Sequence, residues 1–176
     1  MFFITATMVI PLDFAGTAVA EYQHFIEYYA MNNGLDPTLV AAIILIESSG
    51  DAKAVNPVSG AVGLMQIMPH ETGSPFLDRP SVDKLLKSET NISTGCEILA
   101  DLFARKKTTY NVLYHYSGSI YWDSKEGYKR EYYDVVLDYM EGLENGRAEY
   151  QYTHLSPKPI IGNTKDIKLP LNWSRY

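Results

Sequence analysis

Glu47 stands near the end of an almost wholly apolar run, Leu39-Val-Ala-Ala-Ile-Ile-Leu-Ile-Glu47-Ser48. A carboxyl group in such a setting is poorly solvated. Poor solvation disfavours its charged form and raises its pKa. A carboxylic acid that keeps its proton near neutrality can act as a general acid, as cleavage of a glycosidic bond requires. On a helix, Ile43 and Ile44 lie three and four positions before Glu47 and share its face. The negative end of the helix dipole is close and also opposes ionisation. No Lys or Arg occurs between Met1 and Lys53, so no basic partner is near in sequence. A lone Glu more commonly marks the solvated end of a core helix. Two features count against that here: the helix is apolar nearly all round, and a second motif follows. Sixteen residues on comes Gly63-Leu64-Met65-Gln66-Ile67-Met68-Pro69.

The elements that must position these residues read as follows. Glu21 to Asn33 has an amphipathic helical pattern, with Tyr22, Phe25, Ile26, Tyr29 and Ala30 on one face. Gly34 stops it. Asp36 reads as the N-cap of the next helix, Pro37 as its first turn and Gly50 as its stop. Positions 51–63, rich in Gly, Pro, Asn and Ser, read as a loop feeding a short apolar turn. Positions 70–80 look irregular. Ser88 reads as the cap of a helix running to about Lys107, whose face holds Ile92, Gly95, Cys96, Leu99, Leu102 and Phe103. Another helix is expected over 108–116, broken by Gly118. A last one is expected over about 125–144, carrying Tyr128, Tyr132, Val136, Tyr139, Met140 and Leu143. No confident strand is evident, although 150–154 has strand character. Pro157, Pro159 and Pro170 punctuate an extended tail over 146–176. The fold class is thus mainly α: a single compact helical domain over 21–145 around one apolar helix.

The chain's 176 residues suffice for one domain with a sizeable core. A net charge of −6 gives no support to a nucleic-acid partner, and the one basic cluster, Arg105-Lys106-Lys107, suits a helix C-terminus. The single cysteine, Cys96, excludes an internal disulfide and reads as a buried thiol without a catalytic role. The four scattered histidines have no metal-ligand spacing, so neither a metal nor a cofactor is expected. Residues 1–20 are apolar and end in Ala18-Val19-Ala20, which resembles a secretory signal but lacks a positive start and carries Asp13. The segment reads either as an export signal or as an apolar arm packing on the domain or on a partner. Tyr121 and Trp122 read either as a sugar-stacking pair or as a packed aromatic pair. The sequons at Asn91 and Asn172 are of a length common by chance.

Taken in order, Glu47-Ser48, Gly63-Leu64-Met65-Gln66-Ile67-Met68-Pro69, Asn91-Ile92-Ser93-Thr94-Gly95 and Tyr114-His115-Tyr116-Ser117-Gly118 resemble the soluble lytic transglycosylase catalytic domain. That family shares the α+β lysozyme-like fold of goose-type lysozymes. The resemblance runs from about Glu21 to Leu143. It implies that Glu47 is the catalytic acid/base. It implies that Ser48, Gly63, Met65 and Gln66 shape or line a sugar site, that Asn91 to Gly95 is a structural helix start, and that Tyr132 lies near the acid. Tyr132 reads equally as a core tyrosine. Two segments depart from the family pattern. The connection before Gly63 is one residue longer than the usual Ser-x-x-Gly-Ala, so its polar role falls to Asn56 or Ser59. The usual Ala-Tyr-Asn-Ala-Gly becomes Tyr114-His115-Tyr116-Ser117-Gly118, which puts His115 in the Tyr position in one register and Tyr116 there in the other.

Most glycoside hydrolases use two carboxylates, and neither Asp51 nor Glu71 sits in a motif of that kind. The resemblance implies a one-acid reaction on peptidoglycan glycan strands. Glu47 protonates the oxygen linking MurNAc to GlcNAc, and the N-acetyl group assists at the anomeric carbon. Glu47 then removes the C6 hydroxyl proton as a 1,6-anhydro ring closes. A lysozyme-type hydrolase on the same fold remains open. So does a non-catalytic glycan-binding or structural component docked to a phage tail or an envelope-spanning machine. Export to the periplasm or cell envelope is the expected location, with a phage virion as the alternative.

Overall fold

The computed structural model describes residues 14–117, 120–123 and 128–145; of residues 120–130 only the backbone is described. Gly118, the 150–154 segment, the extended tail, the Asn172 sequon, the side chains of Tyr121 and Trp122, and the first 13 residues lie outside that set.

A short 3₁₀ turn, Ala20–Tyr22, leads into α1, Gln23–Asn32. The central helix α2 spans Pro37–Ser48, and its residues from Thr38 to Ile46 are all buried. Its start follows the local chemistry: the Asp36 carboxylate accepts the Thr38 N–H at 2.8 Å, satisfying a donor that the first turn leaves unpaired. Its stop comes one residue before Gly50. Ser49 itself turns left-handed (φ 57°) and donates its N–H to the Leu45 carbonyl at 3.1 Å. Each fully buried Ile on this helix contributes roughly 1.5–3 kcal/mol of transfer free energy. That explains why α2, packed between α1 and the last helix, forms the axis of the core. Phe14 and Val19, which precede the first helix, are buried in the same core.

The loop after α2 makes a miniature antiparallel ladder. Val55 bridges Val62, and Val62 bridges Ile67 through a reciprocal pair of hydrogen bonds at 2.9 and 3.0 Å. The Gly63-Leu64-Met65-Gln66 segment is the turn of that ladder, and Leu64 and Met65 insert into the core with no exposed surface.

A one-turn helix, α3 (Val82–Leu85), is not evident in the sequence pattern; it buries Leu85. The long helix α4 covers Ser88–Lys106 and α5 covers Thr109–Ser117. The N-cap of α4 is Lys87, not Ser88, and no side chain caps it. Ser88 is already helical. The expected face of α4 is buried at Ile92, Gly95, Cys96, Leu99 and Leu102.

The largest correction lies after α5. Where the tyrosine spacing places a helix from about Lys125, the chain forms a hairpin, β1 (Ile120–Asp123) paired antiparallel with β2 (Tyr128–Glu131). Ile120 faces Glu131 across it, and Asp123 faces Tyr128. The last helix, α6, then runs Tyr132–Glu144. Tyr128 and Tyr132 stand four apart, which imitates a helix face. Cross-strand pairing with the β-favouring Ile-Tyr-Trp stretch wins instead. Among the described residues, no helix is long and apolar enough to cross a membrane.

Candidate active site

Glu47 lies one residue from the end of α2. The residue keeps some solvent-accessible surface, so it can be reached. Its carboxyl group is nevertheless packed among protein atoms. Burial lifts its pKa from 4.5 to about 7. One opposing influence acts: the Tyr132 hydroxyl donates to Glu47 Oε1 at 2.7 Å and favours the charged form. Among the described residues no carboxylate and no cation contributes to this rise. The acid is held by a neutral donor in a dry setting, close to the point where it can give or take a proton at neutral pH.

Tyr132 is the first residue of α6 and is 4% exposed. The packing of α6 along α2 places its phenol on the carboxyl group. Tyr116, on α5, supplies the second hydroxyl. It donates to the Met65 carbonyl at 2.9 Å. Burial pushes the Tyr116 phenol well above its usual 10, and the negative charge of Glu47 adds to that rise. The Glu47 and Met65-Gln66 motifs thus meet through Tyr116.

The two candidates of the Tyr114–Gly118 segment, His115 and Tyr116, have different surroundings. His115 packs edge-on to Tyr114. Its pKa is lowered by partial burial and by the charges of Lys106 and Arg105, at the C-terminal end of α4. Of the pair, only Tyr116 is in electrostatic contact with Glu47.

Other expected site residues serve the frame. The Ser48 hydroxyl turns back to donate to the Ile44 carbonyl at 3.1 Å and is almost wholly buried, so it finishes the helix and does not face a ligand. Ser59 Oγ accepts the Ala61 N–H at 3.2 Å, while Asn56 Oδ1 accepts the N–H groups of Val58 and Ser59. Both side-chain oxygens thereby help to shape their own turn. The Met65 side chain is inaccessible; it fills the dent left by Gly95 on α4, where a Cβ would overlap its sulfur. What Met65 offers the site is its backbone. Gln66 is partly exposed and sits in the left-handed region (φ 49°), a strained position for a residue with a Cβ. Its Nε2 donates to the Gly63 carbonyl at 3.0 Å, which closes the turn.

Asn91 is the residue whose importance the sequence understates. It is wholly buried at the start of α4. Its Oδ1 accepts the Met65 N–H at 2.8 Å, and its Nδ2 donates to the carbonyls of Val62 at 2.8 Å and Leu85 at 2.9 Å. Gly63, at φ +76°, leaves room for this amide: any Cβ there would collide with Asn91 Nδ2 and the Leu85 carbonyl. The available signal was an Asn four residues before Gly95 on an otherwise apolar face. Cys96, on that face, is buried, and burial pushes its thiol up to about 12, so it is inert.

A surface cavity of about 350 Å³ lies at the opposite end of α2, lined by Leu35, Leu39, Phe103, Tyr133 and Met140 among others. Its lining does not include Glu47, Met65, Gln66, Tyr116 or Tyr132. Chemistry, not volume, locates the site. Among the described residues no cluster of His, Cys, Asp and Glu could hold a metal ion.

Comparison with known proteins agrees with this geometry. The sequence profile of the transglycosylase SLT domain matches residues 24–133, from the start of α1 to the start of α6. Endo-type membrane-bound lytic murein transglycosylases A from two strains of Klebsiella pneumoniae are each 45% identical over 75 residues, covering 39% of this chain and 36% of the relative. The protein of the same name from Salmonella paratyphi B is 40% identical over 75 residues, with the same coverage. The matched segment therefore spans little more than a third of those relatives' length. The profile match takes in both motifs, Asn91, Tyr116 and Tyr132, and the chain belongs to the transglycosylase SLT domain family.

Proposed function

We propose that this protein is a peptidoglycan lytic transglycosylase acting at the cell envelope, with Glu47 as its acid and then its base. The observation that carries this reading is the Glu47 carboxyl group: dry, raised to about 7, and, among the described residues, held by the Tyr132 hydroxyl. A group balanced near neutrality serves both halves of the reaction. Protonated Glu47 gives its proton to the oxygen between MurNAc and GlcNAc as that bond breaks, and the GlcNAc side leaves with a free hydroxyl. The MurNAc N-acetyl oxygen supports the anomeric carbon. The carboxylate then removes the C6 hydroxyl proton, and the C6 oxygen closes on the anomeric carbon as the 1,6-anhydro ring. Glu47 ends protonated, as it began, and water is not consumed.

The surroundings support the same sequence of events. Tyr132 steadies the carboxylate between the two proton transfers. The Gln66 nitrogen is committed to Gly63, which leaves its carbonyl oxygen as the acceptor available to a sugar hydroxyl or amide. The names of the relatives favour murein as substrate and the envelope as location.

Digestion of purified sacculi tests the reading. Mass spectrometry of the soluble products should show anhydro-muropeptides. Reducing ends in their place would make the protein a hydrolase, and the absence of any soluble product would leave it a binding component.

Tyr132→Phe gives a second check. It removes the hydroxyl donor that stabilises the carboxylate, so the pKa of Glu47 rises further, by about one pH unit. The basic limb of the pH–rate profile on sacculi should move upward by that amount, with activity at pH 8 relative to pH 6 higher than in wild type. An unmoved basic limb would show that the limb belongs to another group.

A further inference from the structure

The segment joining the Met65-Gln66 turn to α3 carries an arginine that the mechanism above does not use. Residues 70–80 form a closed excursion: the His70 N–H donates to the Pro80 carbonyl at 3.3 Å, and the Glu71 carboxylate accepts the Val82 N–H. Within it Phe76 is nearly buried and its N–H donates to the Gly73 carbonyl at 2.7 Å. The Arg79 N–H donates to the Phe76 carbonyl at 3.0 Å, and its guanidinium lies over the Phe76 ring, 4.7 Å from the centroid. The side chain is thus braced at both ends.

This guanidinium is half-buried, yet no carboxylate of the described residues comes within ion-pair distance of it. Asp78 is adjacent and acts on it only from farther away. Burial without an anion is unfavourable for a cation. The position of the charge is informative too. It acts on the Tyr116 hydroxyl, the same hydroxyl that feels Glu47. Stacking on a ring face uses the guanidinium plane and leaves its N–H edge, which matches a carboxylate with two parallel donors.

We propose that Arg79, braced on Phe76, is a subsite for a carboxylate carried by the glycan strand. This inference rests on the reading of the protein as a peptidoglycan enzyme. The carboxylate is either one of the peptide stem or the lactyl group of MurNAc freed of its stem. The chain carries a net charge of −6, so an acidic polymer approaching it meets like charge. A fixed cation that acts on Tyr116 offsets that repulsion and helps to set the register of the strand.

The test uses the full chain carrying Glu47→Gln, which prevents turnover, with and without Arg79→Met or Arg79→Lys. Calorimetry measures the affinity for three ligands: stem-bearing glycan fragments, stem-free MurNAc-GlcNAc fragments with a free lactyl group, and a neutral GlcNAc oligomer. Thermal melts confirm folding. Arg79→Met should weaken binding of the acid-bearing ligand on the order of tenfold and leave the neutral oligomer unchanged. Arg79→Lys should fall between, since it keeps charge but not the paired donors. Loss for the stem-bearing ligand alone assigns the site to the stem, loss for the stem-free ligand alone assigns it to the lactyl group, and loss for both means that the guanidinium takes either carboxylate. Added salt should reproduce the contrast in the protein with Arg79 intact, weakening the acid-bearing ligands and not the neutral one. Equal weakening of all three ligands, or of none, overturns the subsite while the glycan reading stands. Failure of the Arg79-intact protein to bind any of them overturns both.

Discussion

Glu47→Gln is expected to lower release of soluble muropeptides about 10³-fold while making the protein more stable than wild type above pH 7. The two effects share one cause. In the unfolded chain the carboxyl group titrates at its ordinary 4.5; in the folded protein burial holds it at about 7. Below 4.5 the group is protonated in both states, and folding costs it nothing. As pH rises, the unfolded chain loses its proton first. Stability therefore falls between 4.5 and 7 and levels off beyond the folded pKa. A tenfold change in proton affinity corresponds to about 1.4 kcal/mol, so the loss approaches about 3 kcal/mol, less whatever the residue's remaining exposure relieves. Glutamine carries no charge at any of these pH values, and its carbonyl oxygen can still accept the Tyr132 hydroxyl. Melting curves of both proteins from pH 4 to pH 9 should coincide at the acid end. They should then separate by on the order of 5–10 °C at the basic end, with the variant higher. A difference in melting temperature that does not change with pH would mean that Glu47 is well solvated, and the mechanism built on it would fail.

Asn91→Leu should be the most damaging change outside the acid. Leucine fills much the same space but returns none of the three hydrogen bonds. The Val62 carbonyl retains the Ile67 N–H as a partner. The Met65 N–H is left buried without an acceptor. Burial of unsatisfied groups costs about 1–3 kcal/mol each, so a loss of roughly 3 kcal/mol or more is expected. Activity should fall beyond what the loss of folded protein explains, because the Met65 carbonyl that positions Tyr116 belongs to the same turn. Asn91→Asp separates the two kinds of bond. It keeps the acceptor for Met65 but aims a carboxylate at two carbonyl oxygens. That arrangement raises the carboxyl pKa, so the variant should lose more stability than the wild type does between pH 4 and pH 8. An Asn91→Leu protein that unfolds like wild type would show that the 62–67 turn is held by other contacts.

These two residues mark how far the sequence could be read. Glu47 was legible because everything that perturbs it locally is contiguous: the apolar run before it, the helix end after it, and the absence of basic residues up to Lys53. The start of α2 was legible for the same reason, since an Asp-Pro pair sets both the cap and the first turn. Asn91 was less so. Its partners lie 6, 26 and 29 residues away, and only the fold brings them together. The choice between His115 and Tyr116 depended on helix rotation, which no spacing within that segment decides. The helix-end role of Ser48 was legible from its place next to Glu47, but the choice between Asn56 and Ser59 was not, because a polar side chain near a motif looks the same whether it turns outward or back to its own chain. The helix drawn through residues 125–131 failed because four-residue spacing of tyrosines outweighed strand propensity. The pairing partner that decides the matter is a separate segment. Arg79 gave no local sign at all, lying in a stretch without periodicity.

Strand β2 ends at Glu131 and α6 begins at Tyr132 with no linker between them. The phenol on the acid is therefore mechanically continuous with the hairpin. A shift of the hairpin by about one ångström would stretch a 2.7 Å contact toward the limit at which a hydroxyl still donates. The acid's hold on its proton would tighten as a result. Whatever grips those two strands also holds a tuning screw for the chemistry at the end of α2.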